Sequence, residues 1–391
     1  MSSSNANTDE FCIERSLFTS DHEIFRNSVR RFVETELVPH HAEWEDAGIV
    51  SREAWLKAGE FGLLCPNIPE TYGGPGADWL HNVIVIEELA RYGISGPAFS
   101  LVSDVVAPYV LTWASEDLKH KWLPKMVSGE AIAAIAMTEP DAGSDLKNIR
   151  TRAVRDGDDW IINGQKVYIS NGQLADFVIV ACKTDIGEGA RGVSLILVET
   201  DREGFRRGRN LDKIGLKAQD TSELFFDDVR VPVGNLLGEE GRGFRMLMTK
   251  LTQERLLVGI GSTCTAEAAI RWTVEYTRGR KAFGGTIADF QNTQFVLAQL
   301  ATETTAARVF TDWCVERFLE DKLTSVDAAK LKLLTTELAG KVVDQCMQFF
   351  GGYGYMREYP ISRAFIDGRI KRIAGGASEI MKQIISRDMF K

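Results

Sequence analysis

Ala136-Met-Thr-Glu-Pro-Asp-Ala-Gly-Ser-Asp-Leu146 divides this chain of 391 residues into two textures. The residues before it have helical periodicity, and those after it form a series of short strand patterns. Within the stretch, Pro140 and Gly143 break regular structure. Thr138 and Ser144 offer short hydroxyls beside backbone N–H groups. Such a loop can hold an oxygen-rich ligand, for example a pyrophosphate or the pyrimidine edge of a flavin. Read alone, it could also be an ordinary capped loop between two elements.

Upstream, residues 20–130 read as helical. Asp21-His-Glu-Ile-Phe-Arg opens an amphipathic run that reaches Leu37, with Ser20 as a candidate N-cap. A loop over Pro66–Asp78 carries Gly73-Gly74-Pro75-Gly76. Helical patterns then continue through Tyr92, over Val106–Ala114 and over Leu118–Ser128.

Downstream, Thr151–Val233 is rich in short alternating or β-branched runs. Trp160-Ile-Ile is expected to end at a turn, Asn163-Gly164, and Lys166-Val-Tyr-Ile-Ser at another, Asn171-Gly172. This spacing suggests a small β-barrel or sandwich. Strands and helices do not alternate, which argues against a Rossmann domain. From Gly241 the pattern is helical again, in four segments near 241–280, 289–320, 325–350 and 360–389. These suit an antiparallel four-helix bundle. Gly351-Gly-Tyr-Gly354 lies between two of them and reads as a helix break, not a dinucleotide fingerprint. The expected fold is α+β and multidomain: an N-terminal helical domain (1–130), a middle β domain (131–237) and the C-terminal bundle (238–391).

Composition narrows the function. A net charge of −9 argues against nucleic acid or an anionic membrane as the main partner. No run approaches the length of a membrane span. Met1–Glu10 has two acids and no arginine, so it resembles neither a signal nor a transit peptide. The six cysteines show no paired spacing and read as free thiols in a reducing compartment, the cytoplasm. All five histidines fall at or before residue 120. Chemistry in the later two thirds would then use a carboxylate as proton acceptor, and metal catalysis is not expected.

The signature 136–146 and the helical–β–helical order resemble the acyl-CoA dehydrogenase family, over about residues 15–390. The resemblance implies FAD as cofactor and α,β-dehydrogenation of an acyl-CoA thioester, with the α-proton taken by a base and the β-hydrogen leaving as hydride to the flavin. Ile135–Ser144 matches the flavin-contacting loop, including Met137, Thr138 and Gly143, with Ser144 also near the substrate. Tyr168-Ile169-Ser170 matches a second contact, where the family often has Trp-Ile-Thr. Arg280-Lys-Ala-Phe283-Gly284 resembles the segment that meets the FAD pyrophosphate from a neighbouring subunit, although the family often has Thr at the position of Ala282. Gln291, the segment Gln348–Gly352 with Gly351, and Ala377-Ser378-Glu379 match further contacts. The resemblance also implies a homo-oligomer, a dimer of dimers, and an electron-transferring flavoprotein as partner. It implies a place in fatty acid β-oxidation. Arg206, Arg207 and Arg209 are open candidates for the coenzyme A phosphates, or for an ordinary solvated loop.

One large part of the family places its catalytic glutamate in the last inter-helix segment, where this chain has Ala374-Gly375-Gly376-Ala-Ser378. Gly375 occupies the glutamate position. The isovaleryl-CoA and long-chain types place it on a helix before an arginine, a pattern that Leu251-Thr-Gln-Glu254-Arg255 fits. Periodicity bears on this independently. Phe244, Leu247, Met248, Leu251, Leu257 and Val258 mark an apolar stripe, and Glu254 lies on it. A carboxylate facing an apolar interior is a better base near neutral pH. By periodicity alone, an ion pair with Lys250 on a solvated edge fits as well. Arg255 lies about 100° further round the helix and is expected to point toward substrate or cofactor; with Leu251, Gly375 and Gly376 it is a candidate substrate contact. A flavin monooxygenase or oxidase on the same scaffold, and a non-catalytic binding protein, are the rival readings.

Overall fold

A computed structural model describes residues 13–185 and 187–391. The reading of Met1–Glu10 and the thiol of Cys12 lie outside those residues. The N-terminal helices are α1 (Ser20–Phe32), α2 (His41–Ala47), α3 (Arg52–Glu60), α4 (Leu80–Arg91), α5 (Ala107–Trp113) and α6 (Glu116–Ser128). Seven strands come next: β1 (Ala133–Ala136), β2 (Arg152–Asp156), β3 (Asp159–Ser170), β4 (Phe177–Lys183), β5 (Val193–Glu199), β6 (Phe205–Asn210) and β7 (Thr221–Pro232). Then come α7 (Gly243–Gly279), the short hairpin β8–β9 (Lys281–Ala282 and Gly285–Thr286), α8 (Gln291–Leu319), α9 (Ser325–Phe349), α10 (Pro360–Gly368) and α11 (Ser378–Met389).

The chain divides into two compact units. The first comprises residues 25–85 and 94–254 and contains the whole β domain. Its helices start where the sequence supplies caps. The Ser51 and Ser115 side chains accept from the N–H groups of Ala54 and Leu118. Helices α3 and α6 meet through glycines. A Cβ at Gly59 would collide with the Ser128 carbonyl oxygen, and one at Gly129 would collide with that of Trp55. Two π-helical turns interrupt the α-helical pattern, at Val33–Leu37 and Leu101–Val106. The second leads directly into α5.

The sheet runs β1-β4-β2-β3-β7-β6, with β5 on the other edge of β4. β1 and β2 pair with successive stretches of β4, both parallel, while β5 pairs with β4 antiparallel. β4 and β5 are buried along their whole length, as expected for strands covered on both faces. Trp160, Ile162, Ile169, Val178, Val180, Ile196, Val198 and Phe226 form the core. The barrel-like domain of short strands is thus present as one open seven-stranded sheet. Asn163-Gly164 is not the turn expected of it. β3 continues through it, with a shift of register between Ile162 and Gly164. Asn163 and Asp228 exchange hydrogen bonds across the break (2.8 and 3.0 Å), and a Cβ at Gly164 would lie 2.5 Å from Thr151 Oγ1. This is a β-bulge, a role in which glycine is as common as in a turn. Asn171-Gly172 does turn the chain, with Asn171 at φ 60°.

The second unit comprises the described part of Met1–Ile24, residues 86–93 and residues 255–391. Ser20 is the first residue of α1 and not its cap. The preceding Thr19 hydroxyl lies 3.0 Å from His22 Nδ1. Ala266, Ala269 and Ile270 of α7 pack with Leu300 of α8, Val342, Val343 and Cys346 of α9, and Ile361 and Ala364 of α10. The fourth expected helix is broken. α10 ends at Gly368, a 3-10 turn covers Arg369–Arg372, and α11 starts only at Ser378. The break is backbone chemistry: Gly375 and Gly376 have φ of 65° and 99°, a region that side chains disfavour. Gly351–Tyr355 is a 3-10 turn between α9 and α10, the helix break expected of it. The five described cysteines are buried and free.

Candidate active site

In the first unit, the signature loop leaves the sheet at the end of β1. It is pinned from beneath by β3. The Lys166 ammonium, buried, donates to the Met137 carbonyl (3.1 Å) and to Glu139 Oε1 (2.8 Å). Glu139 also accepts from the N–H groups of Arg150 (2.5 Å) and Thr151 (3.0 Å). Burial works against the Glu139 charge, but Lys166 and these donors outweigh it and hold the carboxyl below the usual carboxylate range. The Val167 N–H donates to the Thr138 carbonyl (3.0 Å), which fixes the loop backbone against β3. Ile135, Met137 and Thr138 are half-buried, whereas Gly143 and Ser144 are exposed. No heavy atom lies within 4 Å of where a Gly143 Cβ would stand.

Tyr168 sits one residue past Val167, in a second bulge of β3 between Lys166 and Ile169. Its φ is 61° and its side chain is 68% exposed. A bulky residue in the left-handed region on a strand is strained, and a bulge re-aims its side chain. The ring is therefore presented as an open aromatic face. Ile169 is buried in the sheet core, so only its backbone can meet a ligand. Ser170, half-buried, pairs with Thr221 of β7.

Tyr109, Trp113, Lys250, Gln253 and Glu254 lie together in the same unit. The Tyr109 hydroxyl donates to Glu254 Oε1 at 3.2 Å. Lys250 lies over the Trp113 ring, 5.3 Å from its centroid. Gln253 Nε2 donates to the carbonyl of Asp104, on the π-helical turn before α5, at 3.1 Å. Leu247, Leu251 and Leu257 of the expected apolar stripe are buried and Glu254 is half-buried, whereas Met248 is exposed.

In the second unit, Arg255 and Val258 of α7 flank the Gly375-Gly376 turn. A Cβ on Gly375 would be 4.0 Å from Val258 Cγ2, and one on Gly376 would be 3.9 Å from a terminal nitrogen of Arg255. Lys332 of α9, buried, donates to the Gly376 carbonyl (2.6 Å) and the Lys371 carbonyl (3.1 Å). Burial, with Arg255 nearby, pushes its ammonium down to about 8. The Ser378 hydroxyl donates to Glu337 (2.7 Å), which commits it within the fold, while Glu379 is exposed and Ala377 half-buried.

The Arg280 guanidinium lies over the Tyr353 ring (5.4 Å), which brings the end of α7 to the Gly351–Tyr355 turn. Tyr276 stacks on Phe350 (4.2 Å) and donates to its carbonyl (3.3 Å), locking the two segments together. Gln291, Gln348, Gly351 and Gly352 are exposed. Phe283, at φ 50°, is 96% exposed.

Comparison with known proteins covers nearly the whole chain. Residues 19–130, 134–229 and 241–390 match, in turn, the N-terminal, middle and C-terminal domains of acyl-CoA dehydrogenase. This chain belongs to the acyl-CoA dehydrogenase family. It is 50% identical over 377 residues to the mitochondrial long-chain specific acyl-CoA dehydrogenase of Sus scrofa, covering 96% of this chain and 88% of that protein. It is 35% identical over 379 residues to the mitochondrial isovaleryl-CoA dehydrogenase of Oryza sativa, covering 96% and 92%. Among solved structures, an acyl-CoA dehydrogenase from Geobacillus kaustophilus superposes with a TM-score of 0.94 at 48% identity, covering 96% of this chain and all of that one.

The acyl-CoA dehydrogenase is thus an oxidoreductase acting on a CH–CH bond with a flavin, and its cofactor is FAD. The family membership favours this reading over a monooxygenase, an oxidase or a non-catalytic scaffold. The residues fit the cofactor. In the first unit, Tyr168 supplies an exposed ring face, the pinned loop backbone supplies polar groups, and Gly143 leaves open space where a Cβ would stand. Of the three arginines left open by sequence, Arg207 is tied into the sheet through the Ala175 carbonyl and the Thr200 hydroxyl (both 2.8 Å). Arg206 stacks on Phe225 (4.4 Å), and Arg209 pairs with Glu223 (3.6 Å). Sequence reasoning missed Lys166, Tyr109 and Lys332. Lys166, two residues before Tyr168, could have been found as a charge inside a strand pattern. Tyr109, 145 positions from Glu254, carries no such signal.

Proposed function

We propose that Glu254 is the catalytic base of this enzyme and removes the α-proton of an acyl-CoA thioester. The observation that carries this is the placement of the side chain. It is a half-buried carboxylate with a buried phenol donating to one oxygen, and the lysine one turn before it on α7 lies over an indole. Gly375 offers no carboxylate at the family's alternative position. FAD, when bound, accepts the β-hydrogen with its electron pair. The protein's part is to hold the thioester, keep water from the α-carbon and take the proton. The substrate contacts proposed are Ser144, Leu251, Arg255, Gly375 and Gly376. The cofactor contacts proposed are Ile135, Met137, Thr138, Gly143, Ser144, Tyr168, Ile169 and Ser170 within one chain. Arg280, Phe283, Gln291, Gln348, Gly351, Gly352, Ala377, Ser378 and Glu379 complete the set.

The likeness to long-chain and isovaleryl enzymes supports medium, long or methyl-branched acyl groups as substrates. An electron-transferring flavoprotein is the proposed acceptor and a dimer of dimers the proposed assembly. The free buried cysteines fit a reducing compartment, the cytoplasm. The domain limits proposed remain 1–130, 131–237 and 238–391. The test is anaerobic bleaching of the bound flavin by a panel of straight and branched acyl-CoAs. Bleaching by at least one member is expected, and a panel that leaves the flavin oxidised contradicts the function.

A further inference from the structure

Two side chains one turn apart on α5 meet two side chains one turn apart on α7. Tyr109 and Trp113 form an aromatic pair with centroids 5.4 Å apart. Tyr109 donates to Glu254, and Trp113 receives Lys250 on its ring face. Lys250 and Glu254 have the i, i+4 spacing that ordinarily makes an ion pair on a helix. Here the cation is held over the indole, an attraction that competes with the carboxylate for it. Tyr109 is 0% exposed, so its hydroxyl is in a desolvated place where a hydrogen bond to an anion is strong. Gln253, beside Glu254, is tied to the Asp104 carbonyl and holds this turn of α7 against the π-helical turn that precedes α5. A buried tyrosine that only packed would need no carboxylate at its hydroxyl, and a phenylalanine would fill the same space.

We propose that Tyr109 is a positioning residue for the base, fixing one oxygen of Glu254, while Trp113 keeps Lys250 from neutralising it. The inference rests on Glu254 being the base. Beside Glu254 in this unit are the titratable Tyr109 from α5 and Lys250 from the preceding turn of α7, whose ammonium burial pushes down and the Glu254 charge holds up. Arg255 is the next residue in the chain. Asp104 lies on the turn before α5, its carboxyl pushed up to about 7 by burial, and is the same in every variant compared.

Charge fixes the sign of each change. The phenol stabilises the ionised carboxylate, so its removal makes Glu254 easier to protonate. The test uses the full-length, FAD-loaded enzyme and anaerobic stopped-flow bleaching by dodecanoyl-CoA across pH. In Tyr109→Phe, the acid limb of the rate should move up by about one pH unit, with the half-saturating dodecanoyl-CoA concentration unchanged. In Trp113→Leu, Lys250 is released to pair with Glu254 and the limb should move down. An acid limb in Tyr109→Phe that coincides with the parent's overturns the role of Tyr109. One in Trp113→Leu that coincides overturns the role of Trp113. Glu254→Gln in the same assay separates this inference from the reading beneath it. If that variant bleaches like the parent, the base assignment itself fails. If it does not bleach but Tyr109→Phe keeps the parent's limb, only the Tyr109 inference fails.

Discussion

By the resemblance, Glu254 and Gly375 match the two positions where this family keeps its carboxylate, and only Glu254 carries one. The pairing predicts an exchange. Glu254→Gly should abolish flavin bleaching, and adding Gly375→Glu should restore part of it. Recovery should be incomplete, because position 375 has φ 65° and a non-glycine residue there is strained by about 1–2 kcal/mol. A double variant as inactive as the single one, with FAD retained, contradicts the shared geometry. Asp104 gives a second residue-level prediction. Its carboxyl is pushed up to about 7 by burial, against the donors Asn82 and Trp79. Between about pH 4 and that value, the folded protein holds a proton that the unfolded chain has released. Rising pH therefore lowers stability across this window. Asp104→Asn removes the effect. Thermal unfolding should show no difference from the parent near pH 4 and an advantage for the variant of about 2–4 kcal/mol above pH 7. A difference independent of pH contradicts it. Glu254 was singled out in the sequence by the resemblance to the long-chain and isovaleryl types; helical spacing put it on an apolar stripe but fitted an ion pair with Lys250 equally. Its partner Tyr109 was not, because a contact between residues 145 positions apart leaves no trace in local pattern.

At the scale of elements, the helical, β and helical order was readable from periodicity, and so was the break at Gly351–Gly354. The errors have a common cause. Asn163-Gly164 satisfies a hairpin turn and a β-bulge equally, and only the pairing of β3 with β7 decides between them. Periodicity put 360–389 in one helical segment, while the resemblance placed an inter-helix segment at Ala374–Ser378; spacing does not report backbone φ, which decides the break. The signature loop was read for its hydroxyls, yet Lys166 and Glu139 hold its shape. Lys166→Met would leave the Glu139 carboxylate buried without its cation. It should cost about 3–5 kcal/mol in urea unfolding and lower the FAD retained per chain. A variant with full FAD content and the parent's unfolding midpoint contradicts the pinning role.

Whole-molecule organisation was the least readable from sequence. Phe283 is 96% exposed, and Phe295 and Tyr355 are also large exposed aromatics of the second unit. Of these, only Phe283 was singled out in the sequence, in the segment matched to an FAD contact. Exposed aromatic surface of this kind marks an interaction site, and it agrees with the proposed assembly in which one chain completes the cofactor site of another. Phe283→Asp should then shift light-scattering mass to a smaller species and lower FAD content together. A variant with unchanged mass and full flavin contradicts that reading. The α-carbon chemistry, however, is assigned to one side chain whatever the assembly. The most direct test is Glu254→Gln, purified with its FAD and mixed anaerobically with dodecanoyl-CoA. The flavin absorbance should be retained and bleaching should slow by about 10²–10⁴-fold. Bleaching at the parent's rate would show that the base lies elsewhere.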